Sequence, residues 1–392
     1  MARKMKDSGI EWIGDIPEGW EVVQLKRFTE VHNGREIEAE VDSTDSSAVG
    51  VYGSGGVFKY TNRAQYNGKA VLFGRKGTLG KPLYVEGRLW AVDTMYFLTY
   101  SNRLLEKFSY YQFLAFNWAP YITHTAIPSV VASEIVACYF PIPPLEEQKK
   151  IADYLDNGCA SLDAILDKTR SSIEEYKKLK QAVITQAVTA PNCPNVKLKY
   201  LMDIIVDCPH ETPIYTFTGN YLVIRTSDQS LASLRCDEDM YRLDEAEYKK
   251  RTRRLTLDKD DIVYGREGSW GLACLVPQSN KYCLGQRVMQ FRCNTRLLYP
   301  KYAMYALNSE KVYMQGALDT IGSTAPHVNI STICNYLLPV PALTEQKEIA
   351  DHLDAKCAEI DGLIAKKEQL VKELESYKKS LIYEVVTGKR EV

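Results

Sequence analysis

Pro141-Ile-Pro-Pro-Leu-Glu-Glu-Gln-Lys-Lys-Ile-Ala-Asp-Tyr-Leu-Asp156 returns as Pro339-Val-Pro-Ala-Leu-Thr-Glu-Gln-Lys-Glu-Ile-Ala-Asp-His-Leu-Asp354, a shift of 198 residues from Pro141 to Pro339. The same shift holds without a gap through Cys159/Cys357, Asp163/Asp361, Lys168/Lys366 and Ile184/Ile382 to Val188-Thr189/Val386-Thr387, and back to Pro128/Pro326. Chance does not keep such register, so the chain is an internal duplication.

Beyond the prolines, apolar residues recur at alternating steps of three and four. The first copy runs Ala152, Leu155, Cys159, Leu162, Leu166, Ile173, Tyr176, Val183, Ala187, and the second runs Ala350, Leu353, Cys357, Ile360, Ile364, Val371, Leu374, Leu381, Val385. This is a heptad seam, and it predicts two amphipathic helices of about 40 to 45 residues, roughly 60 to 67 Å long. Helices of that length act as spacers. Lys168 and Thr169, and Lys366 and Lys367, interrupt the seam, either as register-setting polar groups or as solvated ones. The prolines read as a rigid joint between strand and helix.

Ahead of each helix lies a globular segment with short apolar runs such as Ala70-Val-Leu-Phe73 and Asp261-Ile-Val-Tyr264, which read as strands. The two segments are diverged copies: Val23-Gln-Leu-Lys26 answers Val196-Lys-Leu-Lys199, and Gly74-Arg-Lys-Gly77 answers Gly265-Arg-Glu-Gly268. The stretch from Leu198 to Gly265 is longer than that from Leu25 to Gly74, so the heads vary while the helices stay constant. The fold expected is α+β, with two mixed heads and two long helices.

The 392 residues are 45% hydrophobic, enough for two or three domains with real cores. Lys and Arg total 49 against 50 Asp and Glu, so no global field draws the chain to nucleic acid or membrane, and any polyanion must be held by local patches. Ten cysteines without a Cys-x-x-Cys predict reduced thiols and no metal site. No stretch has signal-peptide or membrane-spanning character, so a cytoplasmic protein without a membrane partner is expected. The 26 tyrosines suit either extended binding surfaces or cores.

Catalytic machinery is absent from the sequence. There is no phosphate-binding Gly-x-x-x-x-Gly-Lys-Ser/Thr loop, no dinucleotide fingerprint and no Asn/Asp-Pro-Pro-Tyr/Phe tetrapeptide of an amino-methyltransferase. Glu247-Tyr-Lys249 has the spacing of a nuclease pair but lacks a supporting Pro-Asp. His32, His124, His210, His327 and His352 show no metal-ligand spacing and read as structural.

The positive signal is the Gly-Arg-x-Gly turn, which occurs twice after a β-rich run. Its glycines are expected to push Arg75 and Arg266 outward, toward guanine or phosphate, with Lys76, Thr78, Ser269 and Trp270 beside them. A hairpin turn explains the same residues. Lys249, Lys250, Arg251, Arg253 and Arg254 place five cations in six residues, suited to phosphates or to a solvated helix face.

The helix-opening Pro-x-Pro-x-Leu-x-Glu-Gln-Lys-x-Ile-Ala-x-x-Leu-Asp, repeated after two variable segments, resembles the specificity subunit of type I restriction-modification enzymes. Ser8-Gly-Ile-Glu-Trp12-Ile-Gly-Asp-Ile-Pro-Glu-Gly-Trp20-Glu-Val resembles that family's N-terminus, and Tyr176-Lys-Lys and Tyr377-Lys-Lys resemble its helix ends. The resemblance covers essentially the whole chain. It implies two target recognition domains, residues 1–143 and 191–341, with spacer helices 144–190 and 342–392 packed antiparallel as a coiled coil in a pseudo-two-fold arrangement.

It further implies a bipartite double-stranded DNA site and no catalysis in this chain. Two modification subunits carry S-adenosylmethionine and methylate adenine, and restriction subunits join through them. The second recognition segment, opening at Pro191-Asn-Cys-Pro-Asn-Val196, departs from the pattern in lacking a copy of the Trp12 to Trp20 stretch. Carried over as DNA contacts are Arg75, Lys76, Thr78, Arg266, Ser269 and the turns at Thr125 and Ser323-Thr324; as partner contacts on the spacers, Leu155, Leu162, Leu353 and Ile360. Two alternatives remain at this level: a coiled-coil scaffold whose heads bind protein or another non-DNA ligand, and a nuclease using Glu247 and Lys249.

Overall fold

A computed structural model describes residues 3–123, 126–189, 193–268, 270–319 and 327–392. The chain divides into two compact units, residues 1–169 with 369–392 and residues 170–368. Each unit holds one head, one part of the helix Leu145–Val188 and one part of the helix Leu343–Val386. No helix among the described residues is long and apolar enough to cross a membrane.

The first head is built on a six-stranded sheet in the order Thr29–Asn33, Met95–Tyr100, Tyr66–Gly74, Leu83–Ala91, Val49–Gly53, Gly56–Thr61. All its pairings are antiparallel except that of Val49–Gly53 with Leu83–Ala91. The run Ala70-Val-Leu-Phe73 is apolar throughout because both faces of its strand are covered. Ala70 and Leu72 pack with Val85, Leu89 and Phe97, while Val71 and Phe73 turn to the larger core of Phe108, Phe113 and Trp118.

The second head repeats this logic on a four-stranded sheet, Met202–Asp207, Val288–Cys293, Ile262–Gly265, Ala273–Leu275. Ile262 and Tyr264 face one core and Val263 another. The extra length between Leu198 and Gly265 forms strands Tyr221–Ile224 and Arg242–Leu243 and the helix Glu245–Arg251. Tyr221–Ile224 joins Tyr282–Leu284 in parallel in a small sheet separate from the four-stranded one, whereas the first head's parallel pair, Val49–Gly53 with Leu83–Ala91, belongs to its single six-stranded sheet.

The conserved motif does the same work in both units. The strand Tyr139–Ile142 pairs with Glu21–Gln24, and Leu337–Pro339 pairs with Asn195–Lys197, delivering the chain to each helix. Gln148 is buried; its Oε1 accepts from the Leu105 amide at 2.7 Å, and its Nε2 donates to the carbonyls of Arg103 and Pro143 at 3.1 and 2.9 Å. Gln346 repeats this with the Tyr299 amide at 2.7 Å and the carbonyls of Leu297 and Pro341 at 3.0 and 2.9 Å. Two turns further on, Asp156 accepts from Tyr111 and pairs with Lys107, as Asp354 accepts from Tyr305 and pairs with Lys301. Burial, reinforced by the neighbouring carboxylate, pushes both tyrosine hydroxyls well above their ordinary pKa.

Within each unit the helices run antiparallel. In the first unit Asp163 meets Lys378 and Arg390 lies over Tyr154; in the second Lys180 meets Asp361 and Lys367 lies over Tyr176. The Asp163/Lys378 and Lys180/Asp361 pairs are the same interaction displaced by the duplication. The seam holds through Ile173 but then drifts: Lys180, Ile184 and Val188 are buried, while Val183 and Ala187 are half-buried. A straight helix of 3.6 residues per turn rotates away from a 3.5-residue repeat, and this accounts for the shift.

The N-terminal segment missing from the second copy packs against the end of the second long helix. The Tyr383 hydroxyl donates to the Trp12 carbonyl at 3.0 Å, and Gly388, with φ +72°, lies so close to Pro17 that a Cβ would sit 2.4 Å from its ring. In the second unit the corresponding helix end, Ile184 and Val188, joins the core of Leu198, Leu201 and Met202.

Candidate nucleic-acid interface

The first Gly-Arg-x-Gly turn caps the central strand of its head. Gly74 is required because a Cβ there would stand 2.3 Å from the Thr78 carbonyl oxygen, and Gly77 adopts φ +80°. Arg75 donates its amide to Thr94 at 2.7 Å and accepts from the Val130 amide at 3.1 Å, so its backbone is clamped. Its guanidinium is half-buried, 5.7 Å from the Tyr96 ring centre, with Lys76 and Thr78 exposed beside it. Lys76 bridges Ser129, which also bonds Thr123, so this turn and the segment around Ser129 form one surface. Thr125 lies outside the described residues.

The second turn is built differently, and Arg266 does not point outward. It is 7% exposed, its Nε 3.3 Å from Asp207 Oδ1 and its Nη2 bonded to Glu267. Two carboxylates neutralise it, Glu267 standing where the first turn has Lys76 and Asp207 ending the strand Met202–Asp207 on the far side of Val288–Cys293; among the described residues Arg75 has no such ion pair. The exposed cation here is Arg287, whose carbonyl accepts from the Arg266 amide at 2.8 Å and whose φ is +72°. An arginine in the left-handed region carries no sequence signature, and for that reason it was missed. Trp270 stacks on Tyr313 at 4.4 Å and 6° and closes over Gly316, which makes it a packing residue. Ser269, Ser323 and Thr324 lie outside the described residues.

The basic run splits. Asp244 caps the helix Glu245–Arg251, accepting from the Glu247 amide at 2.8 Å. Lys249 and Lys250 are exposed and paired with Glu245 and Glu211, and each carboxylate raises its lysine's pKa through the hydrogen bond. Arg251 is instead buried: Nε and Nη2 donate to the Leu284 carbonyl at 3.1 and 3.0 Å, and Nη1 to the Glu211 carbonyl at 3.0 Å. It holds the fold and is not available to phosphate. Arg253 and Arg254 are exposed, have no ion-pair partner among the described residues, and line a cleft of about 460 Å³ with His210, Glu211 and Lys250.

The nuclease alternative finds no geometry. Glu247 is buried with Arg251 at 3.9 Å, whereas Lys249 faces solvent. Among the described residues no group of His, Cys, Asp and Glu is placed to hold a metal ion.

Leu155, Leu162, Leu353 and Ile360 are buried in the chain's own cores and not presented to a partner. The seam is consumed by the fold. The apolar side chains left outside on the long helices are others, Ile165, Leu179, Leu370 and Tyr377 among them.

Two variable heads, each docked by the same glutamine and aspartate onto a pair of antiparallel helices, define a duplicated recognition chain. The model of the type I restriction modification DNA specificity domain matches it twice, over residues 17–175 and 207–373, and the chain belongs to that family. It is similar over 95% of its length to the type I restriction enzyme MjaVIII specificity subunit of Methanocaldococcus jannaschii, at 24% identity and covering 93% of that protein. The putative MjaX specificity subunit of the same organism is 23% identical over 96% of this chain and 95% of its own. A chain from a solved structure on complex assembly and conformational transition of the type I R-M system shares the fold, with TM-score 0.70 at 17% identity, covering 96% of this chain and 99% of that one. The family's role is DNA sequence specificity, and it is non-catalytic.

Proposed function

We propose that this chain reads a bipartite, asymmetric double-stranded DNA site, one half with residues 1–143 and the other with residues 191–341. The helices, residues 144–190 and 342–392, set the gap and recruit two modification subunits, and restriction subunits assemble through these. S-adenosylmethionine belongs to the modification subunits, which methylate adenine, and the complex works in the cytoplasm. The observation that carries this reading is the constancy of the Gln148/Gln346 and Asp156/Asp354 joints beneath heads that differ in sheet and loop. A chain whose anchors are kept and whose loops diverge is organised to present two different surfaces.

In the first head the DNA-facing set is Arg75, Lys76 and Thr78; in the second it is Lys249, Lys250, Arg253 and the exposed Arg254 and Arg287. Arg contacts of this kind read guanine or hold phosphate. Partner contacts on the helices fall to exposed residues such as Ile165, Leu179 and Leu370. Co-expression with the neighbouring genes, followed by mapping of adenine methylation on host DNA, tests the proposal. The expected result is a split motif with a fixed gap that disappears when this chain alone is deleted. A methylome indifferent to the deletion would overturn it.

A further inference from the structure

Phe217 is 102% exposed, the most exposed large apolar side chain among the described residues. The loop that carries it is held on every side. The Thr216 amide donates to the Arg242 carbonyl at 2.9 Å, and Gly219 passes so close to the next strand that a Cβ would lie 1.9 Å from the Leu243 carbonyl oxygen. Tyr215 packs its ring on Tyr241 at 4.5 Å, and the Arg225 guanidinium, itself fixed by Asp228, lies over the Tyr241 ring at 3.9 Å. The residues flanking Phe217 are therefore engaged, and the phenyl ring is presented on a braced support.

Cations line one side of the foot of the same loop. Its Glu211 binds Lys250 at 2.7 Å and, through its carbonyl, Arg251 at 3.0 Å, and the exposed Arg253 and Arg254 line the adjoining cleft. An apolar tip on a cationic collar is complementary to a polyanion with an apolar interior, which is the description of a duplex: phosphates outside, stacked bases within. The first head offers a contrast. Its exposed Phe58 sits on a hairpin where Lys59 and the nearby Arg63 are paired with Glu40 and Glu38, as Lys250 is with Glu211, whereas Arg253 and Arg254 have no ion-pair partner among the described residues.

We infer that Phe217 is a wedge that enters the base stack of duplex DNA at the half-site read by the second head, with Lys250, Arg253 and Arg254 on the flanking phosphates. The inference rests on the DNA-reading function proposed above and adds a local unstacking confined to one half-site. The wedge residue positions the duplex and performs no chemistry.

The test uses the full complex with its modification subunits and duplexes bearing the mapped motif. 2-Aminopurine replaces, one at a time, positions other than the methylated adenines, and the half-site of the second head is assigned by exchanging that head. The parent complex is expected to raise 2-aminopurine fluorescence at one step of that half-site only. Phe217→Ala is expected to lose the signal and bind about tenfold more weakly, while Phe217→Trp keeps both. Parent-like fluorescence and affinity in Phe217→Ala overturn the wedge while leaving DNA reading intact. Loss of a modification subunit from the Phe217→Ala complex, seen as a lower assembly mass, overturns it in favour of protein docking. A parent complex that fails to retain the duplex removes the DNA-reading proposal and the wedge with it.

Discussion

Arg75 and Arg266 occupy the same place in the duplicated pattern and differ in environment, so their substitution separates recognition from stability. Arg75→Ala removes a half-exposed cation from a clamped turn. DNA binding by the complex should weaken, with the denaturant midpoint of the chain within experimental error of the parent. Arg266→Ala strips two carboxylates of their buried partner and should cost about 3 kcal/mol in chemical denaturation. The sequence showed the turn and its glycines but not the direction of the arginine. That direction depends on Asp207, far away in the chain, and on one substitution, Lys76 against Glu267. Cysteine is a simpler case: burial pushes the thiols of Cys274, Cys283 and Cys293 up to about 12, while Cys236 is exposed. A thiol reagent at mildly alkaline pH should label Cys236 in the folded protein and reach those three only on unfolding, a pattern readable by intact mass.

The long helices were legible as elements because a seven-residue apolar rhythm repeated at a constant shift leaves few other readings. What the rhythm did not disclose is that polar residues complete the seam. Lys180 is buried with Asp361, and its counterpart Lys378 is more exposed with Asp163, although the two pairs are copies of one interaction. Asp361→Ala should therefore cost roughly 2 kcal/mol, since it strands an ammonium that has little access to water, whereas Asp163→Ala should cost under about 1 kcal/mol. Thermal denaturation of the two variants side by side checks the order. The reading of Leu155, Leu162, Leu353 and Ile360 as partner contacts failed for a related reason. A heptad stripe states that a face is covered, and here the covering helix belongs to the same chain.

For the whole molecule, the proposed division of labour predicts separable phenotypes. Exchanging residues 1–143 for the head of a relative should change one half of the methylated motif and leave the other, and lengthening a spacer by one or two turns should alter only the gap. Both are read from the methylome; halves that change together would refute modular reading. Heads with different sheets and the longer second insertion were visible only as a difference in spacing, because β pairing joins residues distant in sequence. The glutamine joints carry a further implication. Among the described residues, every hydrogen bond made by the Gln148 and Gln346 side chains goes to a backbone amide or carbonyl. Such a socket is blind to the identity of what plugs into it. Gln148→Ala, which leaves several of those groups without a partner, should cost roughly 3 kcal/mol whichever head is attached. A lineage that keeps Tyr111 and Lys107, or Tyr305 and Lys301, for the aspartate can consequently vary the rest of a head without having to re-evolve the place where that head is fastened.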